Sequence, residues 1–306
     1  MLKEFLNKYK GALITIVIIV IALLIASWYV DFSEIGKVLI TAVTTNVHLL
    51  ILAVLLECGS LSLKTLRLQT IVSELRPISF VELFKIQAAG IAISNLTPAR
   101  IGEASKAIYL EQNGIKKRLG LLAILWEHLF DFIAIIAFSM LIASQYGAVA
   151  ILFLAVVAIV IFLTYHIDKF IKYIAHIKQL AFLGDLTLHK FKKMTLAKAL
   201  FVTFLAWTCD FLAVATAFHA VGVTLPYTVI MGAFAISIII GLISTIPGGF
   251  GSLEASLYVL LNSGFSNATL GAAFVAARVV TVGTLFVVGG LSAISLHSKK
   301  ASDKPT

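Results

Sequence analysis

The stretch Asn95-Leu-Thr-Pro-Ala-Arg-Ile-Gly-Glu-Ala-Ser-Lys106 sets Pro98, Arg100, Gly102, Glu103 and Lys106 inside a chain that is otherwise strongly apolar. Pro98 disfavours helix at the residue before it. The capping pair Ser79 and Glu82 starts a helix at Phe80, because the serine oxygen takes a free N–H of the first turn. The stretch therefore reads as a junction between two helical pieces, about Phe80 to Leu96 and Ile101 to Gln112, with Asn113-Gly114 as the stop. The second piece is too short to cross a ~30 Å hydrocarbon core at 1.5 Å per residue. A re-entrant hairpin of two half-helices, spanning 80–112, is the expected form.

The outline recurs at Ser244-Thr-Ile-Pro-Gly-Gly-Phe-Gly-Ser-Leu-Glu254. Pro77 and Pro98 are 21 residues apart, as are Pro226 and Pro247, and the two pairs are offset by 149. Asn113-Gly114 answers Asn262-Ser263-Gly264, and the Glu127, His128, Asp131 group falls at a matching offset from Arg278. Self-similarity at half the chain length is a transporter-type signature. The second hairpin is expected over 227–262, with Pro226 at the first turn of its opening helix and Ser252 capping Leu253 to Leu261.

Sixty per cent hydrophobic residues, 13% charged residues and a mean hydropathy of +1.04 over 306 residues exclude a soluble globular domain. The net charge of +9 comes from Lys and Arg flanking apolar spans, so it implies cytoplasmic loops and no nucleic-acid partner. Cys58 and Cys209 lie in apolar spans without metal-ligand or CxxC spacing. They read as small buried thiols. Lys3 to Lys10 followed by Ala12 to Val30 resembles a signal peptide, but the apolar run is too long, and it reads as a retained first helix.

The fold expected is an all-α polytopic membrane protein with six full spans and two re-entrant hairpins in an inverted repeat. The full spans are about 11–30, 46–69, 119–142, 147–165, 195–220 and 268–296, the last interrupted by Arg278. A loop carrying Asp31, Glu34 and Lys37 follows the first. Lys64 and Arg67 are expected to snorkel to the interface, whereas Glu57, near mid-span, needs a partner or a proton. Apolar positions at helical spacing from His166 to Leu180 mark either an interfacial amphipathic helix or an ordinary packed connector. One membrane domain covers 1–306: first helix and loop 1–45, repeat 1 over 46–146, span and linker 147–194, repeat 2 over 195–296, tail 297–306. That tail is too short for a soluble catalytic domain.

With both termini inside, every basic cluster falls on the cytoplasmic side, as the positive-inside rule requires. Three spans then separate the hairpins, so they enter from opposite faces. Tyr227 to Ile246 could alternatively cross fully, which gives eight spans.

Helix N-termini expose N–H groups and partial positive charge that attract anions. The expected substrate-binding set is Arg100, Gly102, Glu103, Lys106, Gly248, Gly249, Gly251, Glu254 and Arg278, with the guanidinium groups able to grip a phosphate in bidentate fashion. Glu103 and Glu254 read equally as caps of their short helices or as proton carriers. Glu127 and Asp131 share one helix face, with a basic partner such as Arg278 or Arg100 expected. Glu57, Glu127, His128, Asp131 and Asp210 form the expected proton-coupling or ion-pair set; a satisfied buried histidine is the alternative for His128. No Walker loop, zincin helix, nucleophile elbow or triad spacing is present, so no enzyme, metal or cofactor is expected.

Pro98, Arg100, Gly102 and Glu103 match a Pro-Gly-Arg-x-Gly-Glu pattern with Ala99 at the second position. Pro247, Gly248, Gly249, Gly251 and Glu254 match Pro-Gly-Gly-x-Gly-x-x-Glu in full. Glu127-His128-Leu-Phe-Asp131 matches Glu-Arg-x-x-Asp with His128 in place of Arg. In these motifs the chain resembles, over nearly its whole length, the flippase-like membrane-domain family of lysylphosphatidylglycerol synthetase. That resemblance implies translocation of a phospholipid or a polyprenyl-phosphate-linked sugar between leaflets of the cell membrane. The synthetase's soluble aminoacyl-transfer domain has no counterpart here, which argues against lipid lysylation by this chain alone. The alternative is a non-transporting scaffold that presents lipid to a separate glycosyl- or aminoacyl-transferase. An intramembrane enzyme ranks last.

Overall fold

A computed structural model describes residues 32–143, 191–261 and 264–302, without the side chains of residues 98–100, 143 and 299–302. All regular structure in these residues is helical. In chain order the α-helices are α1 (Phe32–Thr45), α2 (Val47–Val72), α3 (Phe80–Asn95), α4 (Ser105–Gln112), α5 (Lys117–Ala143), α6 (Lys193–Ala220), α7 (Tyr227–Ile243), α8 (Ser252–Leu261), α9 (Asn267–Arg278) and α10 (Thr284–Ser302). The expected elements at 11–30, 147–165 and 166–180 lie outside the described residues.

Both predicted breaks are present. Ser79 Oγ accepts the Glu82 N–H at 3.3 Å, and α3 starts at the next residue, Phe80. The helix stops at Asn95, Thr97 is extended ahead of Pro98, and a 3₁₀ segment, Pro98–Ala104, leads into α4. In the second break Ile246 is extended ahead of Pro247, and a short 3₁₀ turn, Pro247–Gly249, precedes α8. Both extended residues follow from the clash a helical conformation would make with the proline ring.

The longest shared interface joins α2 to α6 along their lengths. The first helix of each broken pair packs on the terminal span of the other half, α3 on α10 and α7 on α5. Small residues permit both close approaches. A Cβ at Gly289 would lie 2.5 Å from the Ala88 carbonyl oxygen, and one at Gly232 would lie 2.7 Å from the Ile142 nitrogen. Gly289→Leu should therefore separate α10 from α3 and cost about 1–3 kcal/mol, the usual range for overpacking. Gly290→Ala, where an added Cβ meets nothing within 4 Å, should leave the melting temperature in detergent unchanged.

Four helices are long and apolar enough to cross a membrane: Val47–Val72, Lys117–Ile142, Lys193–Ala220 and the nearly continuous Asn267–Ser298. Tyr227–Ile243 is apolar but shorter.

Three expectations are corrected. The stretch expected to be a loop after the first span is helical from Phe32 to Thr45. Ile35 and Ala42 are buried, and α1 packs on α9 with Ile35 against Gly271. Lys64 and Arg67 do not snorkel; both are buried, because α6 covers that face of α2 and supplies partners. The last span is continued through a π turn, Val279–Gly283, immediately after Arg278. Such bulges add a residue to a helix and often sit at functional positions.

Candidate functional site

The two breaks meet. A Cβ on Gly248 would sit 3.2 Å from the Asn95 carbonyl oxygen, so the end of α3 lies against the second turn. Beside this junction is a cavity of about 120 Å³. Its polar wall holds Glu57, Lys64, Asp210 and Arg278, and Phe234, Ile238, Leu253, Val282 and Leu285 supply apolar surface.

The two breaks are shaped by different means. In the second, Gly248, Gly249 and Gly251 have φ of 61°, 64° and 85°, and Thr245 has φ of 55°. Left-handed backbone is what glycine tolerates and other residues resist, which accounts for the Pro-Gly-Gly-x-Gly motif. The first break is a 3₁₀ segment instead. Gly102 is needed for space, since its Cβ would lie 2.7 Å from both the Ile93 carbonyl oxygen and Thr97 Oγ1. Gly248→Ala would strain the left-handed residue by about 1–2 kcal/mol. Its Cβ would also meet the Phe250 ring at 2.7 Å, so a lowered melting temperature is expected.

One glycine amide in each turn is occupied by a side chain. Gly102 N–H donates to Thr97 Oγ1 at 2.8 Å, and Gly251 N–H donates to Glu254 Oε2 at 2.7 Å. Glu254 thus caps its helix, and its other oxygen accepts from Arg278 Nε. Arg278 also donates to the carbonyls of Gly248 at 2.9 Å and Gly249 at 3.4 Å, with its guanidinium 4.7 Å from the Phe250 ring centre. Arg278 is a clip across the turn. Ser252 is inside α8, where its hydroxyl donates to the Gly249 carbonyl and contacts Ser244. The side chain of Arg100 lies outside the described residues.

Glu127 and Asp131 are paired, but with Arg67 and Lys106 in place of the expected Arg278 or Arg100. Arg67 donates Nε to Glu127 Oε1 at 3.1 Å and engages both oxygens of Asp131. Lys106 Nζ donates to Glu127 Oε2 at 2.8 Å, to Glu103 Oε2 at 2.9 Å and to Gln87 at 3.4 Å. Arg67, Lys106 and Glu127 are each at most 1% exposed. This network ties α2, α3, the first break, α4 and α5 together. His128 stands at its edge, Nε2 3.8 Å from Glu103, with a side chain 40% exposed.

A second charged group borders the cavity. Lys64 Nζ donates to Asp210 Oδ2 and lies 4.9 Å over the Trp207 ring. Glu57 is within hydrogen-bonding reach of Asp210. One oxygen of each, Glu57 Oε2 and Asp210 Oδ1, is buried without a donor among the described residues. Trp207 stands between the two groups, donating Nε1–H to Asp131 Oδ1 at 2.7 Å. Sequence reading missed Lys64 and Arg67 as site residues. Their spacing from Glu57, at i+7 and i+10, places all three near one face of α2, which was the available signal. Cys58 and Cys209 are free and half-buried, more open than expected. Among the described residues no group of His, Cys, Asp and Glu is arranged to hold a metal.

The family model described as lysylphosphatidylglycerol synthase TM region matches residues 12–289. No significant match to a curated protein was found.

Proposed function

The chain belongs to the family of the lysylphosphatidylglycerol synthase transmembrane region, and on that premise we propose that it moves an anionic lipid between the leaflets of the cell membrane. The substrate is a phospholipid or a polyprenyl-phosphate-linked sugar. The observation that carries the reading is the charged cavity of about 120 Å³ where the two helix breaks meet. A polar headgroup needs such a place near mid-membrane, while its chains remain in lipid. Irregular backbone within a bilayer is tolerated where it is buried or lines a cavity, and Gly248 and Gly249 line this one. The exchanged packing of α3 on α10 and α7 on α5 supports two related halves, and the distribution of Lys and Arg along the sequence favours halves that are inverted, with hairpins entering from opposite faces and both termini cytoplasmic. Arg278 is the arginine that lines the headgroup region, with Gly102, Glu103, Lys106, Gly251 and Glu254 shaping the breaks around it.

Val282→Trp fills the cavity from the π turn. In phosphatidylcholine vesicles doped with a fluorescent phosphatidylglycerol, this variant should move lipid at the rate of protein-free vesicles while keeping the wild-type melting temperature. Wild-type protein that moves no lipid across a broad anionic panel, or Val282→Trp that moves it at the full rate, would sink the reading.

The family's description as a region of a synthase favours one second reading, a scaffold that presents lipid to a separate glycosyl- or aminoacyl-transferase. Here the protein would co-purify with that enzyme and raise its turnover without moving lipid in vesicles.

A further inference from the structure

We propose that Glu57 and Asp210 hold one exchangeable proton at the cavity wall, and that entry of an anionic headgroup is coupled to its uptake. This rests on the lipid-translocation reading and specifies how the same site is powered.

Two cations, Lys64 and Arg278, and two carboxylates, Glu57 and Asp210, line the cavity; Lys64 is paired with Asp210 and Arg278 with Glu254 behind the wall, which leaves Glu57 without a cation of its own. With all of them ionised the wall is negative and repels an anion. Glu57 and Asp210 are 2% and 6% exposed, and each keeps a buried oxygen with no donor. Two carboxyls in mutual reach and away from water cannot both stay ionised at low cost; a shared proton removes the repulsion and satisfies both oxygens.

Lys64 is the connection to substrate. Its ammonium is held by Asp210 and lies over Trp207. A phosphate that enters and takes this ammonium leaves Asp210 without its counter-ion. The proton that the pair takes up through the cavity lowers that cost, so the headgroup enters while the pair holds it. Other groups that face the pair are few. Cys58 adjoins Glu57 on α2, and Cys209 lies beside both carboxyls from α6. Arg278 faces across the cavity from α9, and Asp131 acts on Lys64 from the neighbouring network. The lining residue from α3, Asn95, is uncharged, and those from α7 and α10 are apolar or glycine.

Two measurements test the coupling. In difference infrared spectra of the lipid-free protein, a protonated-carboxyl band should disappear as pH rises, and it should be missing in both Glu57→Gln and Asp210→Asn. A band present and titrating in both variants overturns the proposal whether or not lipid moves. In vesicles, transport of the fluorescent phosphatidylglycerol should rise as pH falls, by up to about tenfold per pH unit for one proton taken up per headgroup. That slope should flatten in either variant. Movement of lipid with a slope untouched by both substitutions overturns the coupling and leaves translocation standing; absence of movement at every pH tells against translocation itself.

Discussion

Replacing Arg67 with methionine is expected to lower the unfolding free energy by about 3–5 kcal/mol, the cost of removing one partner from a buried ion pair. Methionine keeps most of the stem volume, so the loss is electrostatic. Glu127 would retain Lys106, but Asp131 would retain only the Trp207 N–H. Arg67→Lys should recover part of the loss, because one ammonium cannot reproduce the fork that reaches Glu127 and both oxygens of Asp131. Adding Asp131→Asn to Arg67→Met should also recover part of it, since the uncompensated charge is gone. Thermal unfolding in detergent, followed by tryptophan fluorescence, reads all three. A midpoint for Arg67→Met equal to wild type would show that the network contributes nothing to the stability of α2 against α5 and α6.

That network also shows where the sequence was legible and where it was not. The breaks could be read because proline and glycine act locally: Ser79, Pro98, Pro226 and Pro247 constrain their own neighbours wherever the chain goes. Glu127 and Asp131 could be assigned to one face of α5 by spacing, and the need for a cation followed. The identity of that cation could not be read. Arg67 and Lys106 reach Glu127 from 60 and 21 residues away, and nothing in the spacing along α5 selects them over Arg100 or Arg278. Lys64 and Arg67 lie near one end of a long apolar helix, where snorkelling is the ordinary outcome. The packing of α6 on that face decides otherwise. The helix Phe32–Thr45 was legible and overlooked: Ile35, Leu39 and Ala42 recur at helical spacing, but Glu34 and Lys37 drew the reading towards a loop. The π turn after Arg278 has no sequence mark, since Val279 to Gly283 would serve equally well in a regular helix.

Arg278→Met should reduce lipid movement by at least about tenfold, equivalent to 1.4 kcal/mol or more, and do so with a smaller fall in melting temperature than Arg67→Met. The reason lies in what each arginine holds. Arg67 is sealed between α2, α5 and α6, whereas Arg278 has a side chain 19% exposed and fastens one turn. Without it the Gly248 carbonyl loses its donor, the Gly249 carbonyl loses one of two, and Glu254 keeps only the Gly251 N–H. The Ser252 hydroxyl then remains as the tie to Gly249. Three left-handed glycines and Thr245 give the turn other conformations close in energy, so the cavity wall it forms should lose its shape while the helices stay packed. Arg278→Lys should not rescue transport, because one ammonium cannot span Glu254 and both carbonyls. Glu254→Gln should be milder, as its amide oxygen can still accept from Gly251 or Arg278. Full transport in Arg278→Met would mean that the turn is only a packing device, and that headgroup recognition lies on the opposite wall, with Lys64 and Asp210.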